Sequence, residues 1–210
     1  FPELPSANAE RLLNLIPQKT GSPLVRENVR QSIQALHATG RFGDIQAEAE
    51  RTSDGQVGLT FRMRANFFVG EIFVEGAPNP PAANQVVNAS KLQLGELFTD
   101  EKLEHAVGNI KQLMEQNGYY HSKIDRQQEP RTETQQRNVL FQSTSGPHAR
   151  VGKIILTGST EFSLGQIQDI AKMHSGDYVT VQRLGRALER LRKKYQKQNR
   201  LLSQVAISSR

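Results

Sequence analysis

The string VGEIFVEG at residues 69–76 returns as VGKIILTG at 151–158, with Val-Gly, Ile and a closing Gly held in register. Nothing else in the chain limits the possible folds so strongly, because a repeated unit has to bury its apolar residues the same way each time. Each copy reads as a short strand. Val69, Ile72 and Val74, like Val151, Ile154 and Leu156, are strand formers, and Gly76 or Gly158 leaves the backbone free to turn at positive φ.

A second shared stretch follows each string: GELFTDEKLEHAVGNIKQLMEQNGYY from Gly95 aligns without a gap with GDYVTVQRLGRALERLRKKYQKQNRLL from Gly176. Phe98, Leu103, Val107 and Ile110 in one copy match Val179, Leu184, Leu188 and Leu191 in the other, and their spacing is that of one buried helical stripe. Thr99 and Thr180 stand at N-cap positions, while Asn117-Gly118 and Asn199 suit the left-handed conformation that closes a helix. A third copy runs from Gly21 with Leu24, Val29, Ile33 and Leu36 on its stripe, ends at Gly40, and has Val25 where the others have Thr. Ser22-Pro23 predicts a slightly earlier start for this helix.

After each long helix the apolar period changes to two. Ile45, Ala47 and Ala49 alternate with polar residues, Asp54-Gly55 turns the chain, and Val57, Leu59, Phe61 and Met63 alternate again, which predicts a hairpin. The second copy has a more polar strand at 122–126, a long QEPRTETQQ loop, and NVLFQS at 138–143; the third reaches only SQVAIS. A shorter helical stretch precedes each long helix, at 7–16, 82–92 and 163–171. The unit is therefore strand, short helix, long helix, strand, strand. The expected fold class is α+β, with three tandem units at 1–66, 67–147 and 148–210, the first lacking its first strand and the last its last strand.

Composition suits this reading. Hydrophobic residues make up 36% and charged residues 23%, as in a globular chain with modest cores, and the net charge of +6 is concentrated in the last third. There are no cysteines, so disulfide and thiol chemistry are excluded. No apolar stretch approaches the roughly 20 residues of a membrane-spanning helix, and residues 1–20 lack the order of a signal peptide.

The unit order, with SGPHARVGKIILTGSTEFS at one joint and ALHATGRFGDIQAEAE at a helix-to-strand passage, resembles the POTRA (polypeptide-transport-associated) domains of BamA-like outer-membrane assembly proteins. The resemblance covers essentially the whole chain and departs from the Gly40–Ile45 exit pattern in the second and third copies, which leave their helices through Asn117-Gly118-Tyr119-Tyr120 and Asn199-Arg200-Leu201-Leu202. It implies three-stranded mixed sheets, each covered on one face by two helices, with the last strand central. It also implies a periplasmic location, tethered to the outer membrane through a β-barrel of the same polypeptide. The implied partners are unfolded outer-membrane protein precursors and accessory assembly subunits. A two-partner secretion transporter and a structural domain of the cell-division type are the alternatives; a barrel of about 16 alternating strands would separate transport from scaffold.

A sheet edge presents free N–H and C=O groups to which an extended client can add as a further strand. The candidate edges are the second strands: Asp44, Ile45, Gln46, Ala47 and Glu48; Ser122, Lys123, Ile124 and Asp125; and Ser203, Gln204, Val205 and Ala206. Their charges also suit a solvated edge guarded against stray pairing. Arg183, Arg186, Arg190, Lys193 and Lys197 recur at helical spacing and form a basic face, open to lipid headgroups or an acidic partner. No aromatic interleaving accompanies it, so nucleic acid is not expected. The histidines His37, His105, His121, His148 and His174 have no metal-ligand spacing, and no phosphate loop or nucleophile elbow occurs. No catalytic residue, metal or cofactor is expected. Phe67 and Phe68 are expected to pack near the first joint, and Gly146-Pro147 marks the second.

Overall fold

The computed structural model describes residues 6–53, 55–158, 161–198 and 205–207. The elements follow the order α1 (Ser6–Leu15), α2 (Arg26–Ala38), β1 (Phe42–Arg51), β2 (Val57–Ala65), β3 (Phe68–Glu75), α3 (Ala83–Ser90), α4 (Asp100–Gln116), β4 (Lys123–Arg131), β5 (Gln136–Thr144), α5 (Leu164–Ala171) and α6 (Val181–Gln196). This is a mixed α+β architecture, with two sheets among the described residues, β1-β2 and β3-β5-β4. The last strand of the middle repeat is central, as the resemblance implied. By contacts the chain divides into two compact units, one of residues 1–71, 93–100 and 128–139 and the other of 72–92, 101–127 and 140–210.

In the first unit Leu12, Ile16, Leu36, Phe42, Ile45 and Phe61 form one buried cluster, so the apolar faces of α1 and α2 close over the β1-β2 ribbon. That ribbon is antiparallel, with Ile45 opposite Met63 and Ala47 opposite Phe61, and a bulge between Phe42 and Asp44. The early start of α2 does not occur. Its N-cap is Val25, which has no side chain to cap with, and the buried Gln18 replaces it. The Gln18 Oε1 accepts from the Val25 amide at 3.1 Å while its Nε2 donates to Ser22 Oγ and the Pro23 carbonyl. These bonds hold residues 22–25 as a loop, which is why Pro23 does not initiate the helix.

In the second unit α4 buries Leu103, Ala106, Val107, Ile110 and Met114, and Phe141 and Val86 are fully enclosed. Helix α4 closes as expected: Gly118 has φ +86°, and the Tyr119 amide donates back to the Met114 carbonyl at 2.9 Å. Farther along, α5 and α6 pack through Ala171, Met173, Ala187 and Leu191. Both begin at hydroxyl caps, Ser163 for α5 and Thr180 for α6, the latter accepting from the Arg183 amide at 3.1 Å. Asn199 lies outside the described residues.

Two strand expectations are corrected. The long QEPRTETQQ loop is mostly strand: β4 runs on to Arg131 and β5 begins at Gln136. Alternation failed to show this because every residue from Asp125 to Arg131 is exposed, so no apolar period marks the extension. The strand expected at 151–158 has no ladder; only an isolated bridge joins Arg150 to Tyr178. In the middle repeat the corresponding string is completed by β5; here Val151 donates to the Asp177 carbonyl at 2.8 Å and accepts from the Gly176 amide at 2.7 Å, and no described strand lies beside residues 152–158.

Candidate polypeptide-binding edge

Among the described residues β4 has one strand neighbour, β5, so its other side is an open edge. The opposite margin of the sheet is partly closed, because Val69 donates to the Glu96 carbonyl and accepts from the Gly95 amide, both at 2.8 Å. Of the expected edge residues, Ser122 lies just before β4, Ile124 points into the core at 7% exposure, and Lys123 and Asp125 are exposed. Arg126 is tied to Glu104 of α4, and Gln127 donates to Gln142 of β5 at 3.3 Å. The first ties β4 to α4 and the second ties it to β5. Pro130 has no amide to give, a loss that an edge tolerates.

The first candidate edge is arranged differently. Ile45 of β1 is buried, Asp44, Gln46 and Ala47 are exposed, and Glu48 is half-buried, where it accepts from Arg62 Nε of β2 at 2.7 Å. Gln46 donates to Asp44 at 3.2 Å. The third candidate is not a strand where it is described: Val205 and Ala206 carry no strand, and Ser203 and Gln204 lie outside the described residues. Val205 instead packs against the α5-α6 cluster, and its carbonyl accepts from Arg192 at 3.5 Å.

The basic face of α6 divides into two kinds of residue. Arg183 donates to the Tyr178 carbonyl at 2.9 Å and pairs with Asp177 at 3.2 Å; Arg190 donates to the Ala171 carbonyl at 3.0 Å, capping the last turn of α5. The His174 amide first, then Arg183, holds the Asp177 carboxyl below its usual range. Arg186, Lys193 and Lys197 are exposed. Lys193 in the final turn also complements the helix dipole.

Two side chains that periodicity did not single out fix the joints. At the first, Gln135 sits in the β4-β5 turn with φ +54° and is buried to 7% exposure. Its Nε2 donates to the carbonyls of Arg41 (3.1 Å) and Asn66 (3.3 Å), and its own carbonyl accepts from the Phe68 amide at 2.8 Å. Phe67 lies here too, under the Arg137 guanidinium at 4.9 Å. At the second joint the His148 ring lies between Tyr119 (4.6 Å) and Tyr178 (4.5 Å). Its Nε2 donates to the Asn117 carbonyl at 2.6 Å. The next residue, Ala149, donates to Gly118 and accepts from Val179, both at 2.9 Å. His148→Ala is expected to cost about 2–4 kcal/mol locally, for two ring contacts and one hydrogen bond. Faster hydrogen exchange at the Ala149 and Val179 amides, with β5 unchanged, is the readout.

The model of the POTRA family, described as a surface antigen variable number repeat, matches residues 7–65 and 67–145. The chain belongs to the POTRA family. Among curated relatives, the outer membrane protein assembly factor BamA of Nitratidesulfovibrio vulgaris is 21% identical over 159 residues, covering 76% of this chain and 20% of the relative. The chain thus spans about a fifth of that relative's length. Solved structures that resemble it include the N-terminal domain of Omp85 from Thermosynechococcus elongatus, at 19% identity and a TM-score of 0.39. That match covers 91% of this chain and 81% of the other. Haemophilus influenzae BamA POTRA3-5 resembles it at 12% identity and a TM-score of 0.37, with the same two coverages of 91% and 81%.

The β3-β5-β4 order makes β5 the centre of this sheet and leaves β4 at its margin. No helix among the described residues is long and apolar enough to cross a membrane. Among the described residues no group of His, Asp and Glu is placed to hold a metal ion.

Proposed function

We propose that this POTRA chain is the periplasmic part of an outer-membrane β-barrel assembly protein, with repeats at 1–66, 67–147 and 148–210. It serves there as a non-enzymatic scaffold for unfolded outer-membrane precursors and accessory subunits. A membrane-embedded barrel of the same polypeptide tethers it. The client adds to β4 as a further strand, through main-chain hydrogen bonds that ask little of its sequence.

The observation that carries this reading is the open side of β4 in the β3-β5-β4 sheet. The strand is nine residues long, room for a client segment to form several backbone bonds. The BamA relative supports the class of client, and the exposed Lys123 and Asp125 account for how the vacant edge avoids pairing with copies of itself.

A pair of peptides tests it. An unfolded outer-membrane-protein segment should lose binding at least about tenfold when alternate backbone nitrogens are N-methylated, since each lost main-chain bond is worth about 0.5–1.5 kcal/mol. Equal affinity of the two peptides would overturn strand addition.

A further inference from the structure

A cleft in the first unit is lined by Arg11, Leu12 and Leu15 of α1, by Thr39, Arg41 and Phe42 at the α2-β1 passage, and by Thr132 and Gln135 of the β4-β5 turn. Its volume is about 200 Å³, a space for one large side chain rather than a cofactor. Leu12 and Phe42 make a buried floor, and Leu15 is 54% exposed at the margin. Gln135 closes one end, held there by its bonds to the Arg41 and Asn66 carbonyls.

Two cations border this apolar floor, and no carboxylate lines it. Among the described residues neither the Arg11 nor the Arg41 guanidinium has an ion-pair partner. Two unpaired guanidiniums beside an apolar floor favour an anion with an apolar neighbour. Arg11 lies on α1 and Arg41 at the α2-β1 passage, so an acidic group on each side of the apolar side chain gives each guanidinium its own counter-charge.

We infer that this cleft is a docking site for a polypeptide segment that places one apolar side chain between two acidic residues. The apolar side chain covers Leu12, Leu15 and Phe42, and the flanking carboxylates meet Arg11 and Arg41. This contact is separate from strand addition at β4 and does not depend on it. It gives the scaffold a second, sequence-selective hold on a partner.

The probe is a blocked peptide, acetylated and amidated so that it has no terminal charge, with Leu at its centre and Asp two residues to either side. A second peptide has Asn in place of both Asp. The acidic peptide should shift the backbone amides of Thr39, Phe42 and Gln135 while leaving Lys123–Gln127 in place. Arg11→Gln with Arg41→Gln should weaken it at least tenfold. That variant leaves the main-chain carbonyl of Arg41 that accepts from Gln135, and an unchanged amide spectrum elsewhere shows that it is folded. Equal binding of the Asn peptide, equal binding by the double variant, or no amide shift at millimolar peptide overturns the assignment.

Discussion

Replacing Gly118 by alanine is expected to unseat the second joint, at a cost of more than about 2 kcal/mol to the segments it holds. Gly118 has φ +86°, and a Cβ built there would stand 2.1 Å from the Val179 carbonyl oxygen and 2.8 Å from His148 Nε2. The nearer obstacle is backbone, so a rotamer change gives no relief. The same glycine donates to the Glu115 carbonyl and accepts from the Ala149 amide, both at 2.9 Å, which prevents its peptide from turning away. Gly152→Ala is the control, since nothing lies within 4 Å of a Cβ there, and it should stay within about 0.5 kcal/mol of the parent. Urea unfolding, together with amide exchange at Ala149, measures both. Similar losses for the two variants would contradict the close approach at Gly118.

Phe141→Ala should destabilise the chain by about 3–5 kcal/mol, the range for deleting a large enclosed side chain. Phe141 has no exposed surface and lies on β5, the strand that both others pair with. Its removal leaves a cavity under the strand that links β3 and β4. Tyr120→Ala, at a side chain 51% exposed, should change stability by no more than about 0.5 kcal/mol. Thermal unfolding followed by circular dichroism checks the pair.

The helical part of the fold was legible because burial writes a period into the sequence. Leu103, Val107 and Ile110 were picked out by spacing alone and are all buried. The stripe on α6 is looser, with Leu184 and Leu188 half-buried beside a buried Leu191. Strand ends were harder. β4 outruns its apolar residues, and a strand exposed on both faces leaves no alternation to detect. The string at 151–158 has strand-forming residues, but a strand also needs a partner, and propensity does not report whether one is present. Gln18, Gln135 and His148 escaped for a related reason. Each acts through hydrogen bonds to residues distant in sequence or outside any regular element, and polar side chains in loops have no period that would mark them. The signal that was available was positional: His148 stands in the short SGPHA joint, where little chain is left to make contacts. On α6, Arg183 and Arg190 are engaged with the Tyr178 and Ala171 carbonyls, a use that charge spacing does not reveal.

Hydrogen exchange at the amides of Lys123–Arg131, with and without a saturating unfolded outer-membrane-protein segment, tests the central claim most directly. In the free chain the amides directed away from β5 should exchange fast, because nothing among the described residues pairs with that side. On binding, alternate amides along β4 should slow by at least about tenfold, the pattern of a newly formed ladder. Protection that leaves β4 unchanged and falls instead on β1 or on α6 would contradict client capture at this edge.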